Sequence, residues 1–351
     1  MHFTFFSTLL APAAALADLR FNATSIPTVV IPGIDKGGTS DAYFGIMDKE
    51  VDVLFRGPTK EPGCLLRQTL ELVQACYRTN FCQGGKCKPS LDATPSYMWN
   101  LHVDAASNLA NVAPTAISIF LLRDPVSRIK SLYNFWKQAQ VQGPRLGDTI
   151  DAHVKFELEY MKTPSARKTL WTVLGDDESL VGIQRFRAYQ SLGRDFALWL
   201  GPSQSQRCRM VTGPYQRVHD VGANLTRCPV IIPFLSTAVY APALHHWISQ
   251  MSPDNVAVVQ SEAYFADRSV LLGLFPNPLF AWRHLLEKQV VNSGVYRTTP
   301  LSEDLEVTLR AFFDVPNARL REFLRRWVSL QLRVIPDPDT PGSWWCAERE
   351  A

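Results

Sequence analysis

Three stretches of the chain are apolar and rich in β-branched residues: Thr28 to Ile34, Ile117 to Leu122 and Val256 to Gln260. A strand with one wet face alternates polar and apolar positions, so near-continuous runs of this length predict strands covered on both faces. Between the runs the period lengthens to that of helices. After the small-residue loop Gly33 to Thr39, a helix is predicted with Tyr43, Phe44, Ile46 and Met47 on its apolar side. Leu66, Leu70 and Val73 predict another over about Leu65 to Tyr77. Asp124-Pro125 opens a third, with proline at a favourable first-turn position and Val126, Ile129, Leu132, Tyr133 and Trp136 facing inward. Further helices are predicted over Asp151 to Met161, Ile183 to Leu200, Ala238 to Met251, Ser269 to Leu274, Ser302 to Phe313 and Asn317 to Val328. Strands alternating with helices predict an α/β fold with a central parallel sheet, whose ligands collect beyond the carboxyl ends of the strands.

Between Val51 and Pro95 the chain is rich in Gly, Pro and Cys and reads as a stapled lid or rim. Four of the seven cysteines, Cys64, Cys76, Cys82 and Cys87, lie there; Cys208 and Cys228 form a second group and Cys346 stands apart. Up to three disulfides are expected in an oxidising compartment, with the pairing open. Zinc is the competing reading of Cys82-x4-Cys87, but no Cys-x2-Cys pair or nearby His completes a site.

The compartment is suggested independently by the first residues. Met1 to Ala17 is an apolar run of Phe, Leu and Ala closing on Ala15-Leu16-Ala17, the pattern of a signal peptide, with a short uncleaved signal anchor or a buried helix as the competing readings. This is the one place where a membrane anchor is expected. Asn22-Ala23-Thr24 and Asn224-Leu225-Thr226 are sequons, making Asn22 and Asn224 candidate glycosylation sites. A domain is expected over residues 28–330, with an insertion at about 140–235 and a C-terminal tail at 331–351. Lys and Arg number 36 against 33 Asp and Glu, a net +3, so no whole-molecule field points to nucleic acid and an anionic partner needs a local cluster.

Two such clusters are visible. A strand running into Lys36-Gly37-Gly38-Thr39 and then a helix gathers backbone N–H groups, a helix N-terminus and an ammonium around one point, a nest for phosphate or sulfate. The order is not that of a Walker A loop, where lysine follows the second glycine, which tells against an ATPase or GTPase. The second is Leu122-Arg123-Asp124-Pro125-Val126-Ser127-Arg128 followed by Ser131, where Arg123 leaves a strand end and Ser131 lies in the next helix. Arginine's fork matches phosphate oxygens, although Arg123 pairing with Asp124 or another carboxylate is the plainer reading.

Together these elements resemble the PAPS-binding signatures of sulfotransferases, above all the heparan sulfate 3-O and chondroitin GalNAc-4-sulfate 6-O enzymes. Gly33 to Thr39 looks like their 5′-phosphosulfate loop. Gly57-Pro58-Thr59-Lys60-Glu61-Pro62 is similar to the Lys-Glu-Pro segment that carries their catalytic glutamate, and Asp92-Ala93-Thr94-Pro95-Ser96-Tyr97 to their Thr-Pro-x-Tyr segment. Tyr240 to Trp247 with Val259 to Glu262, and Leu309 to Asn317, resemble two later blocks. The chain departs from the heparan sulfate enzymes at Ala93, where they carry lysine, and Lys60 or Lys88 is the expected replacement. Their basic loop is reduced here to Asn292 to Arg297.

The resemblance implies a P-loop NTPase-like sulfotransferase fold and PAPS as co-substrate, with no metal. Lys36, Gly37, Gly38 and Thr39 would hold the 5′-phosphosulfate, Arg123 and Ser131 the 3′-phosphate, and Glu61 would act as base, with Lys36 also near the bridging oxygen. The implied acceptor is a carbohydrate, anionic in the enzymes resembled, and the implied location is the Golgi lumen, with secretion as the alternative. A P-loop kinase and a non-catalytic secreted glycan-binding protein on the same scaffold are the rival readings. Glu61 also has a plain reading, an ion pair with Lys60 or Arg56 on a wet loop. Glu262 is expected either to face the cleft or to cap or pair with a neighbour.

Overall fold

The computed structural model describes residues 26–46, 58–84, 86–100, 103–138, 149–174, 182–199, 233–274, 300–330, 332–340 and 343–345. Five strands form one sheet: β1 (Val29–Gly33), β4 (Leu91–Asp92), β5 (Ile117–Leu122), β6 (Val256–Gln260) and β7 (Arg333–Ile335). Their order is β4-β1-β5-β6-β7, and every neighbouring pair is parallel. The three predicted strands are the central three, and β1 and β6 are buried throughout. Alternate residues serve opposite faces. Phe120, Leu122 and Val258 enter one core, while Ile119, Leu121 and Val259 enter a smaller one with Ala42, Tyr43 and Tyr264.

The two edge strands were not legible as strands. β4 has two residues and β7 lies inside the segment read as a tail, yet Ala257, Val258 and Val259 of β6 pair with Arg333, Val334 and Ile335. A short hairpin, β2 (Cys82–Gln83) and β3 (Lys86–Cys87), stands apart from the sheet.

Among the described residues the helices are α1 (Thr39–Ile46), α2 (Leu70–Phe81), α3 (Ala105–Val112), α4 (Pro125–Gln138), α5 (Ile150–Lys162), α6 (Pro164–Leu174), α7 (Gly182–Trp199), α8 (Ala241–Gln250), α9 (Ser261–Ala266) and α10 (Glu303–Val328). α3, α6 and α9 lie where no helix is expected, and two others differ in their bounds. α2 starts at Leu70, not Leu65, because Thr69 caps it and Asn108 Nδ2 takes the carbonyls of Leu65 and Arg67 at 2.9 and 3.1 Å. The two predicted C-terminal helices are one. Pro316 removes a backbone donor, but the buried row Leu305, Leu309, Phe313, Leu320 and Leu324 runs past it, and that packing carries the helix through.

The stapled rim is real. Cys64 pairs with Cys76, tying a turn of 3-10 helix (Cys64–Leu66) to α2, and Cys82 pairs with Cys87 across the hairpin, which replaces the zinc reading of that pair. The leader, Asn22, Asn224, Cys208, Cys228, Cys346 and the Asn292 to Arg297 loop lie outside the described residues. Of the expected insertion, α5 to α7 are described. Glu157 on α5 accepts N–H bonds from Phe234, Leu235 and Ser236 at 2.8, 2.8 and 3.2 Å and so anchors the chain that returns toward α8.

Candidate active site

In a parallel sheet the crevice opens where consecutive connections leave to opposite sides. Here that point lies at β1: the next strand of this sheet in sequence, β4, lies to one side of it and the one after, β5, to the other. The loop after β1 is residues 34–38 and the corner after β5 is Arg123-Asp124, so the two anion motifs meet at the crevice. Arg123 Nη1 donates to the Lys36 carbonyl at 3.1 Å. Arg123 does not pair with Asp124, whose carboxylate caps α4 through the Ser127 N–H at 2.8 Å. Among the described residues the bond to the Lys36 carbonyl is the one hydrogen bond of the Arg123 guanidinium.

Lys36 has φ 66°, a left-handed turn, and its ammonium lies 4.7 Å from the centre of the Phe135 ring on α4. Ser131 precedes Phe135 by one helical turn, so it shares the side of α4 over which the ammonium lies. Lys36 and Arg123 are thus brought together, with Ser131 one helical turn before the Phe135 that lies under the ammonium. Thr39 heads α1, and Ala42 N donates to the Gly38 carbonyl as the helix begins, so the amides at its start have no intrahelical acceptor. Asp41 in that first turn is buried against Tyr264 O–H at 2.8 Å and a two-pronged Arg268 at 3.0 Å, so its charge is matched and does not oppose an anion there.

The glycines act differently from expectation. The Gly37 N–H, expected to bind the anion, donates to the Ile34 carbonyl at 2.8 Å. What requires glycine there is space: a Cβ would stand 2.4 Å from the Leu121 carbonyl oxygen. Ser261 Oγ grips the Gly37 carbonyl from α9 at 2.5 Å. Gly38 has φ 99°, and a Cβ there would meet the Phe265 ring at 2.9 Å.

Glu61 arrives on the stapled rim. Its segment is stitched to the carboxyl end of β4: Ala93 N donates to the Lys60 carbonyl at 3.2 Å and Gly63 N to Thr94 Oγ1 at 3.2 Å. Behind it, buried Asp92 accepts from Tyr77 O–H, Tyr97 O–H and Thr94 Oγ1 at 3.0, 2.5 and 2.7 Å, so the Thr-Pro-x-Tyr segment is a bracket for the rim. Lys60 Nζ donates to Ser40 Oγ in α1 at 2.9 Å, which sets Glu61 beside the loop after β1.

The plain reading of Glu61 is half met. It pairs with Lys60, but the side chains are only 16% and 13% exposed, and Glu61 Oε2 is buried with no hydrogen-bond partner among the described residues. Of the two lysines expected to replace the one missing at Ala93, Lys60 adjoins Ala93 through the backbone bond above and extends its ammonium to Ser40 in α1. Lys88 is not at the crevice: it is exposed and precedes β4, at the amino edge of a parallel sheet.

Two groups to which the sequence motifs give no role complete the site. Asp35 accepts from Trp99 Nε1 at 2.7 Å; burial, with Glu61 adding, pushes its carboxyl up to about 6, while Arg128 chiefly opposes. Arg128 is fully buried, donating to the Asp35 carbonyl at 3.2 Å and Thr237 Oγ1 at 3.1 Å. Its position on the apolar stripe of α4 beside Ile129 and Leu132 was the available signal. His245 and His246 lie away from the crevice; His246 is buried between Asp104, at 2.9 Å, and the Phe186 ring. Glu262 caps rather than faces the cleft, its Oε1 accepting from Asp124 N at 3.0 Å.

No family model matches the chain, and no curated protein matches it. Among solved structures it is similar to a sulfotransferase from Alicyclobacillus acidocaldarius at 15% identity, over 84% of this chain and 94% of that one, with a TM-score of 0.46.

Proposed function

We propose that this chain is a sulfotransferase of the secretory pathway that moves a sulfuryl group from PAPS to a hydroxyl of a carbohydrate. The observation that carries the reading is the bond from Arg123 to the Lys36 carbonyl, which joins two anion motifs 87 residues apart at the switch point of the sheet. One nucleotide carrying a phosphosulfate at one end and a phosphate at the other suits such a pair of sites.

Sulfuryl transfer asks mainly for alignment and charge stabilisation. The acceptor oxygen bonds to sulfur as the bond from sulfur to the 5′-phosphate oxygen breaks. The acceptor proton passes to the Glu61 carboxylate, and the charge left on the 5′-phosphate faces Lys36, Lys60 and the start of α1. Arg123 and Ser131 take the 3′-phosphate. The two disulfides suit an oxidising lumen.

The test is transfer of radiolabelled sulfate from PAPS to a panel of glycans, with PAP and magnesium ATP compared as ligands by calorimetry. Labelled product and preference for PAP are expected. PAP binding without transfer to any acceptor would favour a glycan-binding protein, and preference for magnesium ATP would favour a kinase.

A further inference from the structure

The corner that carries Arg123 is held from a direction the motifs do not suggest. On one side of the peptide between Arg123 and Asp124, Tyr240 O–H donates to the Arg123 carbonyl at 2.9 Å; on the other, the Asp124 N–H donates to Glu262 Oε1 at 3.0 Å. Both partners converge on Trp345. Its indole Nε1 donates to the other oxygen of Glu262 at 3.1 Å, and its ring packs against Tyr240 at 6.0 Å between centroids and 64° between planes. Trp345 is itself fixed from behind: Asn317 Nδ2 on α10 donates to its carbonyl at 3.3 Å, and it packs on the fully buried Trp344.

We propose that Trp345 is a positioning residue for Arg123, through which the C-terminal segment sets the affinity for the 3′-phosphate of the nucleotide. This rests on the reading of the site given above. One tryptophan restrains the carboxylate that holds the amide and the phenol that holds the carbonyl of the same peptide, the one from which the Arg123 side chain is aimed. Loosening either lets the guanidinium wander, and a two-pronged contact to phosphate is lost with small changes of angle.

The experiment compares wild type, Trp345→Phe, which keeps a ring but removes the indole N–H, and Trp345→Ala. Calorimetry gives the affinities for PAP and for AMP, which lacks the 3′-phosphate, and the exchange rate of the Asp124 amide is followed by NMR. Trp345→Phe is expected to weaken PAP about three- to tenfold, the range for one exposed charge-assisted hydrogen bond, and to leave AMP unchanged. Asp124 exchange is expected to quicken in both variants, and in an Arg123→Ala background the PAP effect of Trp345→Phe should vanish.

Equal losses for PAP and AMP, or unchanged Asp124 exchange, would overturn the proposal while leaving the enzyme reading standing. Wild-type protein that fails to bind PAP would overturn both.

Discussion

Gly37→Ala tests how the loop after β1 is built. Gly37 does not have a positive φ, so alanine is not excluded by backbone conformation. It is excluded by position: the new methyl would stand 2.4 Å from the Leu121 carbonyl oxygen, 2.9 Å from that of Ile34 and 3.0 Å from Ile34 Cγ2. Reaching van der Waals distance requires a retreat of roughly 1 Å. Retreat is resisted on several sides, by the Gly37 N–H on Ile34 at 2.8 Å, by Ser261 on the Gly37 carbonyl at 2.5 Å and by Arg123 on the Lys36 carbonyl at 3.1 Å. Overpacking of about 1–2 kcal/mol plus about 1 kcal/mol for a broken hydrogen bond gives a loss of about 2–3 kcal/mol.

The assay is urea denaturation together with PAP binding, with two other glycines for scale. Gly84→Ala meets a φ of 57° but nothing within 4 Å, so about 1 kcal/mol is expected and unchanged binding. Gly38→Ala adds a φ of 99° to a contact with a Phe265 ring that is 36% exposed and able to move, which places it between the two. If Gly37→Ala lost no more stability than Gly84→Ala and bound PAP as wild type does, the packing account of the loop would be wrong.

Three further outcomes are expected. Glu61→Gln should bind PAP as wild type does and lose about 10²- to 10⁴-fold in sulfate transfer, read from initial rates; unchanged turnover would remove Glu61 as the base. Burial pushes Glu157 up to about 8 against the pull of its three backbone N–H donors, so the folded state keeps a proton the unfolded state releases near its ordinary 4.5. Its contribution is therefore complete at acid pH and lost as pH rises from there through 8; the fall in urea midpoint over that window should flatten in Glu157→Gln, and parallel profiles would refute it. Replacing Cys64 and Cys76 by serine opens a link between residues 12 apart, expected to cost about 3 kcal/mol in chemical denaturation and to lower turnover more than PAP affinity, because the link braces the segment of Glu61 and not that of Arg123.

The sequence alone determined the central strands, because a strand buried on both faces needs an unbroken apolar run, and such runs stand out at Val29–Gly33, Ile117–Leu122 and Val256–Gln260. It also offered two candidate anion motifs at strand ends, Lys36 to Thr39 and Arg123 with Ser131, each with an ordinary loop turn or ion pair as its competing reading. Tertiary structure decided the rest. The two-residue β4 and the three-residue β7 become strands only because β1 and β6 offer them open edges. Gly37 turned out to make room for Leu121, a neighbour 84 positions away that no local pattern reveals, and Arg128, Glu262 and Trp345 acquired their places from contacts across the sheet. Local periodicity encodes which face is buried; which polar groups meet over the crevice depends on strand order, and that is a property of the whole fold.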